Sequence, residues 1–402
     1  MFYIDNITKG SEIINYQKRI DEVDARTNLN EDIELTNKLG GCFWDVERQA
    51  CRQVEEELFF LMKKRGINIE LPQDIPQLIK REVFKIVDFS GEILEKEKSN
   101  FSIDILTEAQ SESKVGRRNE DTFVVLENDD ILVAAVLDGA TELASISGVQ
   151  DSQQQGGRFA AQKAAFGIEK KCQETESAEE ILLAANQQIR ESLVYQGHNP
   201  DESAPEFLPN TQAVLAVVKK NKGEIEIVQT GDAVCLVELN DGQIELAMPP
   251  DITPQDIEAL KLSRSTSLAK NIDLKDTFNN ETISRLMIAG RALCNKEDGS
   301  GVGVLNGQKS AEKYIKSKKY QLADVKKIIL LTDGLFLPTE DIDAEPDWHK
   351  MVDIINKGGI ERLYQEVLAL KNQDPQLNKY PRFKKHDDAT GVTIEMSNQN
   401  IK

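Results

Sequence analysis

Three predicted strands in this sequence end in an aspartate that lies directly beside a glycine. These aspartates are Asp138 in VLDGA, Asp232 in QTGDA and Asp333 in LLTDG. An apolar strand fixes the position of the carboxylate at its end, and the glycine allows the close backbone approach that a crowded ion site needs. A single Asp-Gly pair is typical of an ordinary turn, so the prediction of a site depends on the repetition of the pattern.

Two further acidic pairs lie directly before predicted strands. Glu120 and Asp121 precede TFVVLEN, and Asp387 and Asp388 precede ATGVTIEM. His386 is the only histidine or cysteine directly beside one of these clusters. Because oxygen-only ligand sets favour Mg²⁺ or Mn²⁺ over zinc, the five acidic clusters together predict a site for hard divalent cations.

The strands that would position these carboxylates follow residue 113, as short β-branched and apolar runs separated by polar turns. They are TFVVLEN, ILVAAVLD, QAVLAVVKK, EIEIVQTGDAVCLVEL, KKIILLTDG and ATGVTIEM. The short turns predict antiparallel neighbours. Two predicted helices lie between them, GGRFAAQKAAFGIEKKC and SAEEILLAANQQIRESLVYQ, the second opened by a capping box at Ser177 and Glu180. We therefore expect an α+β fold with a sheet-rich sandwich.

The composition limits the class of partner. Asp and Glu number 69 against 49 Lys and Arg, a net charge of −20, which repels nucleic acid and anionic membrane surfaces. The lysine-rich run KYIKSKKYQLADVKK is therefore interpreted as a solvated amphipathic helix and not as a nucleic-acid patch. The five cysteines form no CxxC pair, and neither a signal peptide nor a membrane-spanning apolar run is evident. These features predict a cytoplasmic protein with reduced thiols.

The length of 402 residues favours two domains. From residue 13 to about residue 93, apolar residues recur at three-to-four spacing in a segment rich in Glu, Lys, Arg, Leu and Gln, which predicts helices. We expect a mainly helical accessory or regulatory domain over residues 1–105 and the sandwich, with all the acidic clusters, over residues 106–402.

The order of the motifs resembles the PP2C (PPM) family of metal-dependent phosphatases, in a divergent bacterial form with an added N-terminal helical region. The resemblance runs from Lys114 to Met396 and rests on RRNED, VLDGA, GGRFAA, NTQAVLAVV, QTGDAV, LLTDGLF and DDATGV, in that order. It implies an α-β-β-α sandwich, in which two antiparallel sheets are flanked by helices. It also implies two Mg²⁺ or Mn²⁺ ions in a cleft at one end of the sandwich.

The resemblance assigns roles residue by residue. Asp138 would bridge both ions, and the Gly139 carbonyl would touch one of them. The remaining metal positions correspond to Asp333, Asp387 and either Glu120 or Asp121. Asp232 matches an aspartate that in this family more often supports the fold than binds metal. A third ion is left open, because no acidic residue stands in the adjoining FLP before NTQAVLAVV.

Arg117 or Arg118 would bind the substrate phosphate, since a guanidinium offers paired hydrogen bonds to phosphate oxygens and keeps its charge. The position that carries this arginine in typical members is Gly116 here. The turn directly after Gly139, where some members carry a histidine as proton donor, contains no histidine here, and His386 is the histidine nearest a motif.

The implied reaction is hydrolysis of a phosphomonoester, with phosphoserine or phosphothreonine in proteins as the expected substrate and water, activated between the ions, as the nucleophile. The alternative is a catalytically inactive phosphatase fold that serves as a binding or scaffold module. The helical residues 1–105 would recruit a protein partner or regulate the domain in signalling.

Overall fold

The computed structural model describes residues 8–9, 12–13, 101–108, 119–140, 156–278 and 281–396. The chain divides into two compact units, Met1–Lys98 and Ser99–Lys402. In the first unit, the described residues form β1 (Thr8–Lys9) and β2 (Glu12–Ile13), which pair antiparallel. The helices predicted between residues 13 and 93 lie outside the described part of the chain.

The second unit contains the predicted motifs. Its strands and helices, in chain order, are β3 (Phe101–Glu108), β4 (Thr122–Glu127), β5 (Ile131–Gly139), α1 (Gly156–Lys171), α2 (Ala178–Tyr195), β6 (Thr211–Lys219), β7 (Glu224–Thr230), β8 (Val234–Leu239), β9 (Ile244–Leu246), α3 (Pro254–Lys270), α4 (Glu281–Arg291), β10 (Lys316–Gln321), β11 (Val325–Leu331), α5 (Trp348–Asn372) and β12 (Ala389–Met396). The predicted cap is confirmed, because the Ser177 side chain accepts a hydrogen bond from the Glu180 N–H at the start of α2.

Two five-stranded sheets form the centre of this unit. Sheet I has the order β10-β7-β6-β5-β4, and sheet II has the order β3-β12-β11-β8-β9. Every neighbouring pair in both sheets is antiparallel. The expected α+β fold with two antiparallel sheets is thereby confirmed.

Strand β5 shows how the apolar pattern builds the layers. Its residues from Ile131 to Leu137 are all buried, as expected for a central strand covered on both faces. Leu132, Ala134 and Val136 pack between the two sheets. Val133 and Leu137, which point the other way, pack against α1 and α2. A third cluster packs sheet II against α5, so the layer order is helix, sheet, sheet, helix.

The predicted strand EIEIVQTGDAVCLVEL is divided between the sheets. Strand β7 belongs to sheet I and β8 to sheet II, and the chain crosses between them at residues 231–233. Gly231 makes this crossing possible, because its φ is +82° and a Cβ there would lie 2.3 Å from Oε1 of Gln212.

Two expectations about local structure change. The lysine-rich run predicted as a helix instead contains the edge strand β10, whose residues alternate between half-buried and exposed. Its lysines reach across to acidic residues on neighbouring segments, for example Lys318 to Glu245 at 2.7 Å, so the period is two and not 3.6. In addition, β3 pairs with β12 and begins before the predicted domain boundary at residue 105. Among the described residues, no helix is both long and apolar enough to cross a membrane.

Candidate active site

The acidic motifs of the second unit meet at one end of the sandwich. Because adjacent strands run antiparallel, the ends of β5, β7 and β11 lie at the same edge as the starts of β4 and β12. Asp138 is the penultimate residue of β5, Asp232 follows β7, and Asp333 follows β11. Asp121 and Asp388 directly precede β4 and β12.

The Asp138–Gly139 backbone is held by the start of β6. The Thr211 hydroxyl donates to the Asp138 carbonyl oxygen at 2.8 Å, and the Ala140 N–H donates to the Asn210 carbonyl oxygen at 3.2 Å. Gly139 has no room for a side chain, since a Cβ would lie 2.3 Å from the Glu120 carbonyl oxygen and 2.8 Å from the backbone of Gly157. The glycine of VLDGA thus lets α1 and the strand ends approach closely around the carboxylate.

Asp333 begins a short 3₁₀ turn that follows β11 directly. A Cβ at Gly334 would lie 1.9 Å from the Asp388 carbonyl oxygen, so glycine is required for the two motifs LLTDG and DDATGV to touch. The buried ammonium of Lys371 on α5 donates to the Gly334 carbonyl oxygen at 3.1 Å. The turn is therefore held from sheet II and from α5 at once.

Glu120 and Asp121 take different positions. The Asp121 carboxylate accepts a hydrogen bond from the Thr332 hydroxyl at 2.7 Å, next to Asp333. The Glu120 backbone N–H donates to the Asp388 carboxylate at 2.8 Å. Both side chains are buried, and burial together with the charge of Asp333 raises the pKa of Asp121. The charges of Asp333, Asp388 and Asp387 all act to raise the pKa of Asp121, which places Asp121 among the site carboxylates.

Asp387 lies at the mouth of the cluster and is half-buried. Its carboxylate accepts from the Lys384 ammonium at 2.8 Å and from the Asp388 N–H at 3.0 Å. Asp388 itself is buried, so Asp387 is the more exposed member of this acidic pair, and Asp388 ties β12 to the start of β4.

Like charges act on one another throughout the cluster. Burial is the main cause that raises the pKa of Asp138 well above its usual range, and the charges of Asp121, Asp333, Asp232 and Asp387 add to it. Burial and the charge of Asp387 raise the pKa of Asp333 to about 6, while a hydrogen bond with Asp138 works against this rise. The carboxylates are therefore close enough to resist being ionised together.

Asp232, which the sequence assigned to support of the fold, lies in the same cluster. Burial and the charge of Asp333 raise its pKa, whereas Arg291 on α4 lowers it. Its backbone N–H donates to the Gln212 side chain, and its buried Oδ1 has no hydrogen-bond donor among the residues that the structure describes. An acceptor oxygen without a donor, beside other carboxylates, is the environment that a cation would satisfy.

The donor chemistry of this cluster fits hard divalent cations. Every candidate ligand is a carboxylate or backbone oxygen, and their mutual repulsion would be offset by bound positive charge. In the described residues, no three His, Cys, Asp or Glu side chains are arranged as a ready-made metal site. The carboxylates instead turn to local partners: Asp138 to Asp333, Asp121 to Thr332, and Asp387 to Lys384.

Other predicted features are placed as follows. Arg117 and Arg118 lie outside the described residues. The glycine-rich stretch from Asp298 is exposed at its start and at Lys309 and is buried from Gly303 to Gln308. Asn186 of α2 holds the buried part, because the Asn186 carboxamide oxygen accepts from the N–H groups of Asn306 and Gly307. Sequence reasoning did not find Asn210, Arg291, Lys371 or Lys384 as parts of the site. Of these four residues, only Asn210 lies in one of the motifs that carry the resemblance, NTQAVLAVV.

Comparisons with known proteins give one family. A family model described as Protein phosphatase 2C matches residues 109–369. None of the curated proteins matches the chain. Similar solved structures include RsbX in complex with magnesium, with 14% identity, a TM-score of 0.41, and coverage of 76% of this chain and 99% of that one. The Mycobacterium tuberculosis serine/threonine phosphatase PstP/Ppp has 14% identity and a TM-score of 0.41, and the match covers 74% of this chain and 98% of that one. The Staphylococcus aureus serine/threonine phosphatase Stp1 has 16% identity and a TM-score of 0.42, and the match covers 76% of this chain and 99% of that one.

Proposed function

The chain belongs to the protein phosphatase 2C family, and from this premise we propose that it is a Mg²⁺- or Mn²⁺-dependent phosphatase that hydrolyses phosphoserine and phosphothreonine in proteins. The observation that carries the proposal is the convergence of Asp121, Asp138, Asp232, Asp333 and Asp387 at one end of the sandwich. The motifs that contribute them are far apart in sequence, so their meeting is a property of the fold.

Asp138, Asp333, Asp387 and Asp121 are the proposed ion ligands, with the Gly139 carbonyl as a backbone ligand. Two divalent ions would supply Lewis acidity, by activating a water as the nucleophile and by neutralising charge on the phosphoryl oxygens. Asp232 is the proposed ligand for a third ion, because its buried Oδ1 has no donor in the described part of the chain.

The surrounding residues keep these ligands in place. Thr211 and Asn210 hold the backbone on either side of Gly139, and Thr332 orients the Asp121 carboxylate. Because Thr211 begins β6 and Thr332 directly follows β11, these contacts tie the positions of Asp138 and Asp121 to strand ends. Arg117 or Arg118 remains the proposed arginine ligand of the phosphate.

The test is hydrolysis of p-nitrophenyl phosphate and of a phosphothreonine peptide by the purified full chain, with and without Mn²⁺. Asp138→Asn keeps the shape of the side chain but removes its charge, and we expect turnover to fall about 100-fold or more. Asp353→Asn, at an exposed position of α5, is the matched control and should retain full activity.

A folded protein that turns over neither substrate with Mn²⁺ or Mg²⁺ would contradict the proposal and favour the scaffold alternative. Equal activity of wild type and Asp138→Asn would place the chemistry elsewhere. Tight Mn²⁺ binding without turnover would also count against a phosphatase, since it would leave a metal-binding module.

We also propose that the predicted N-terminal domain, residues 1–105 without the residues of β3, is an accessory or regulatory domain that binds a protein partner in the cytoplasm. A truncated chain for this test should begin at Ser99, because β3 supplies an edge strand to sheet II and its removal would damage the sandwich. A change in turnover relative to the full chain would indicate regulation. Unchanged turnover would limit the region to recruitment.

A further inference from the structure

Two lysines with different surroundings reach the carboxylate cluster. Lys371 is 7% exposed, and its ammonium donates to the Gly334 carbonyl oxygen at 3.1 Å. The Lys384 side chain is 38% exposed, and its ammonium lies 2.8 Å from Asp387 Oδ1. The first lysine is thus a buried structural charge, whereas the second stands at the solvent side of the site.

The Lys384 ammonium interacts with carboxylates from three different strand ends. Partial burial opposes its charge, but Asp387, Asp333 and Asp138 together raise its pKa. In turn, the charge of Lys384 acts against the raised pKa of Asp333. The ion pair with Asp387 Oδ1 at 2.8 Å places this ammonium beside the carboxylate cluster.

A rigid loop presents Lys384. The Arg382 guanidinium donates to the buried Asp374 carboxylate at 2.9 Å and to the backbone carbonyl oxygens of Lys371, Asp374, Tyr380 and Lys385. The Asp374 carboxylate also accepts three backbone N–H groups, from Asn378, Lys379 and Tyr380. Phe383, directly before Lys384, packs its ring against Phe278 with centroids 5.5 Å apart. Such a loop holds the base of the lysine still while its flexible stem can turn.

We propose that Lys384 binds the phosphoryl group of the substrate, an inference that rests on the proposed function. A phosphate dianion that enters a cluster of carboxylates needs a cationic ligand besides the divalent ions. Arg291 is engaged with Asn210 at 3.0 Å and Lys371 with the Gly334 carbonyl oxygen. The Lys384 ammonium is instead paired with the carboxylate of Asp387, which is one of the proposed ion ligands.

Ion binding changes the partner of Lys384. When a divalent ion neutralises Asp387, the attraction of that carboxylate for the ammonium falls, because the two cations compete for the same charge. We then expect the flexible stem of Lys384 to turn its ammonium from Asp387 toward a phosphoryl oxygen, while the loop that carries it keeps its hydrogen bonds. Lys384 would in this way link phosphate binding to ion occupancy.

The experiment measures inorganic phosphate binding by calorimetry on the Mn²⁺-saturated full chain, so that the readout does not require turnover. Lys384→Met and Lys384→Gln should weaken phosphate binding roughly 10- to 100-fold, as expected for loss of one charge-assisted hydrogen bond. The KM for p-nitrophenyl phosphate should rise in parallel, while Mn²⁺ affinity is unchanged or tighter. Lys384→Arg should restore most of the affinity.

Lys379→Met is the matched control from the same loop, since the Lys379 ammonium pairs with Glu340 at 3.5 Å and its side chain is 52% exposed. Unchanged phosphate affinity in both neutral Lys384 variants would overturn the inference, as would an equal loss in Lys379→Met. Weaker Mn²⁺ binding in these variants would overturn it too, by making Lys384 a support of the ion ligands. If the wild type shows no turnover, the proposed function fails, but phosphate titration still decides the role of Lys384.

Discussion

Replacing Asp333 by asparagine should stabilise the metal-free protein at neutral pH. Asp333 lies among carboxylates that repel it, and burial and Asp387 together raise its pKa to about 6. An ionised Asp333 therefore costs folding free energy when no cation is bound. Asparagine removes the charge, keeps the shape, and can still hydrogen-bond to Asp138.

The magnitude follows from the difference between the folded pKa and the ordinary value of 3.8. A difference of 6 − 3.8 = 2.2, at 1.36 kcal/mol for each pKa unit, corresponds to about 3 kcal/mol. Because Asp333 is partly exposed and solvent screens the repulsion, this value is an upper limit. The folded state binds the Asp333 proton more tightly than the unfolded state does. The stabilisation of the folded state by this protonation is therefore complete below pH 3.8 and is lost as the pH rises through about 6.

The assay is urea unfolding of the full chain in a chelator at pH 5 and pH 7.5. The free energy of unfolding of Asp333→Asn should exceed that of the wild type by up to about 3 kcal/mol at pH 7.5 and by about half of that at pH 5. The control Asp353→Asn, on the exposed side of α5, should have a free energy of unfolding within about 0.5 kcal/mol of the wild-type value. Added Mn²⁺ should stabilise the wild type more than the variant, because the ion binds the native carboxylates.

Two results would refute this reasoning. One is an Asp333→Asn variant that is less stable than the wild type in chelator at pH 7.5. The other is a stability difference that stays constant between the two pH values, because repulsion between ionised carboxylates must weaken as they take up protons.

Three further substitutions test the scaffold of the site. Thr332→Val removes the hydroxyl that donates to Asp121, so we expect Mn²⁺ binding measured by calorimetry to weaken about 10-fold; unchanged affinity would exclude Asp121 as a ligand. Gly334→Ala places a Cβ 1.9 Å from the Asp388 carbonyl oxygen and should cost about 3 kcal/mol in urea unfolding, whereas a cost below about 1 kcal/mol would show that the two motifs can separate. Asn186→Ala leaves three backbone groups of the loop 306–308 without their side-chain partner and should also cost about 3 kcal/mol, and a neutral result would mean that water replaces the amide.

Much of the sandwich could be predicted from local patterns. The strands around Asp138 and Asp333 were found because an apolar run followed by Asp-Gly is a short-range signal. The edge strand β10 was missed, since its lysine partners such as Glu245 come from a distant segment and the run itself shows no decisive period. The predicted helices before residue 94 and the arginines Arg117 and Arg118 remain predictions.

The site was predicted less completely than the sandwich. The family resemblance assigned Asp232 to support of the fold, and nothing near it in sequence shows that β7 and β8 belong to different sheets or that Asp333 lies near their crossing. Lys384 had no signal at all, since a lysine three residues before an aspartate is common on any surface. Its ion pair with Asp387 becomes informative only because Asp333 and Asp138 lie nearby.

The sequence by itself determined the kinds of donor and their positions: oxygen ligands at strand ends, with glycines where backbones must approach closely. Tertiary structure decided which of them meet. It brought Asp121 to Thr332 across 211 positions of the chain, left Glu120 tied to Asp388 through its backbone, and raised the pKa of Asp333 to about 6. The physical reason is range: backbone preferences act over a few residues, whereas the interactions of buried charges depend on distances that only the packing of the two sheets sets.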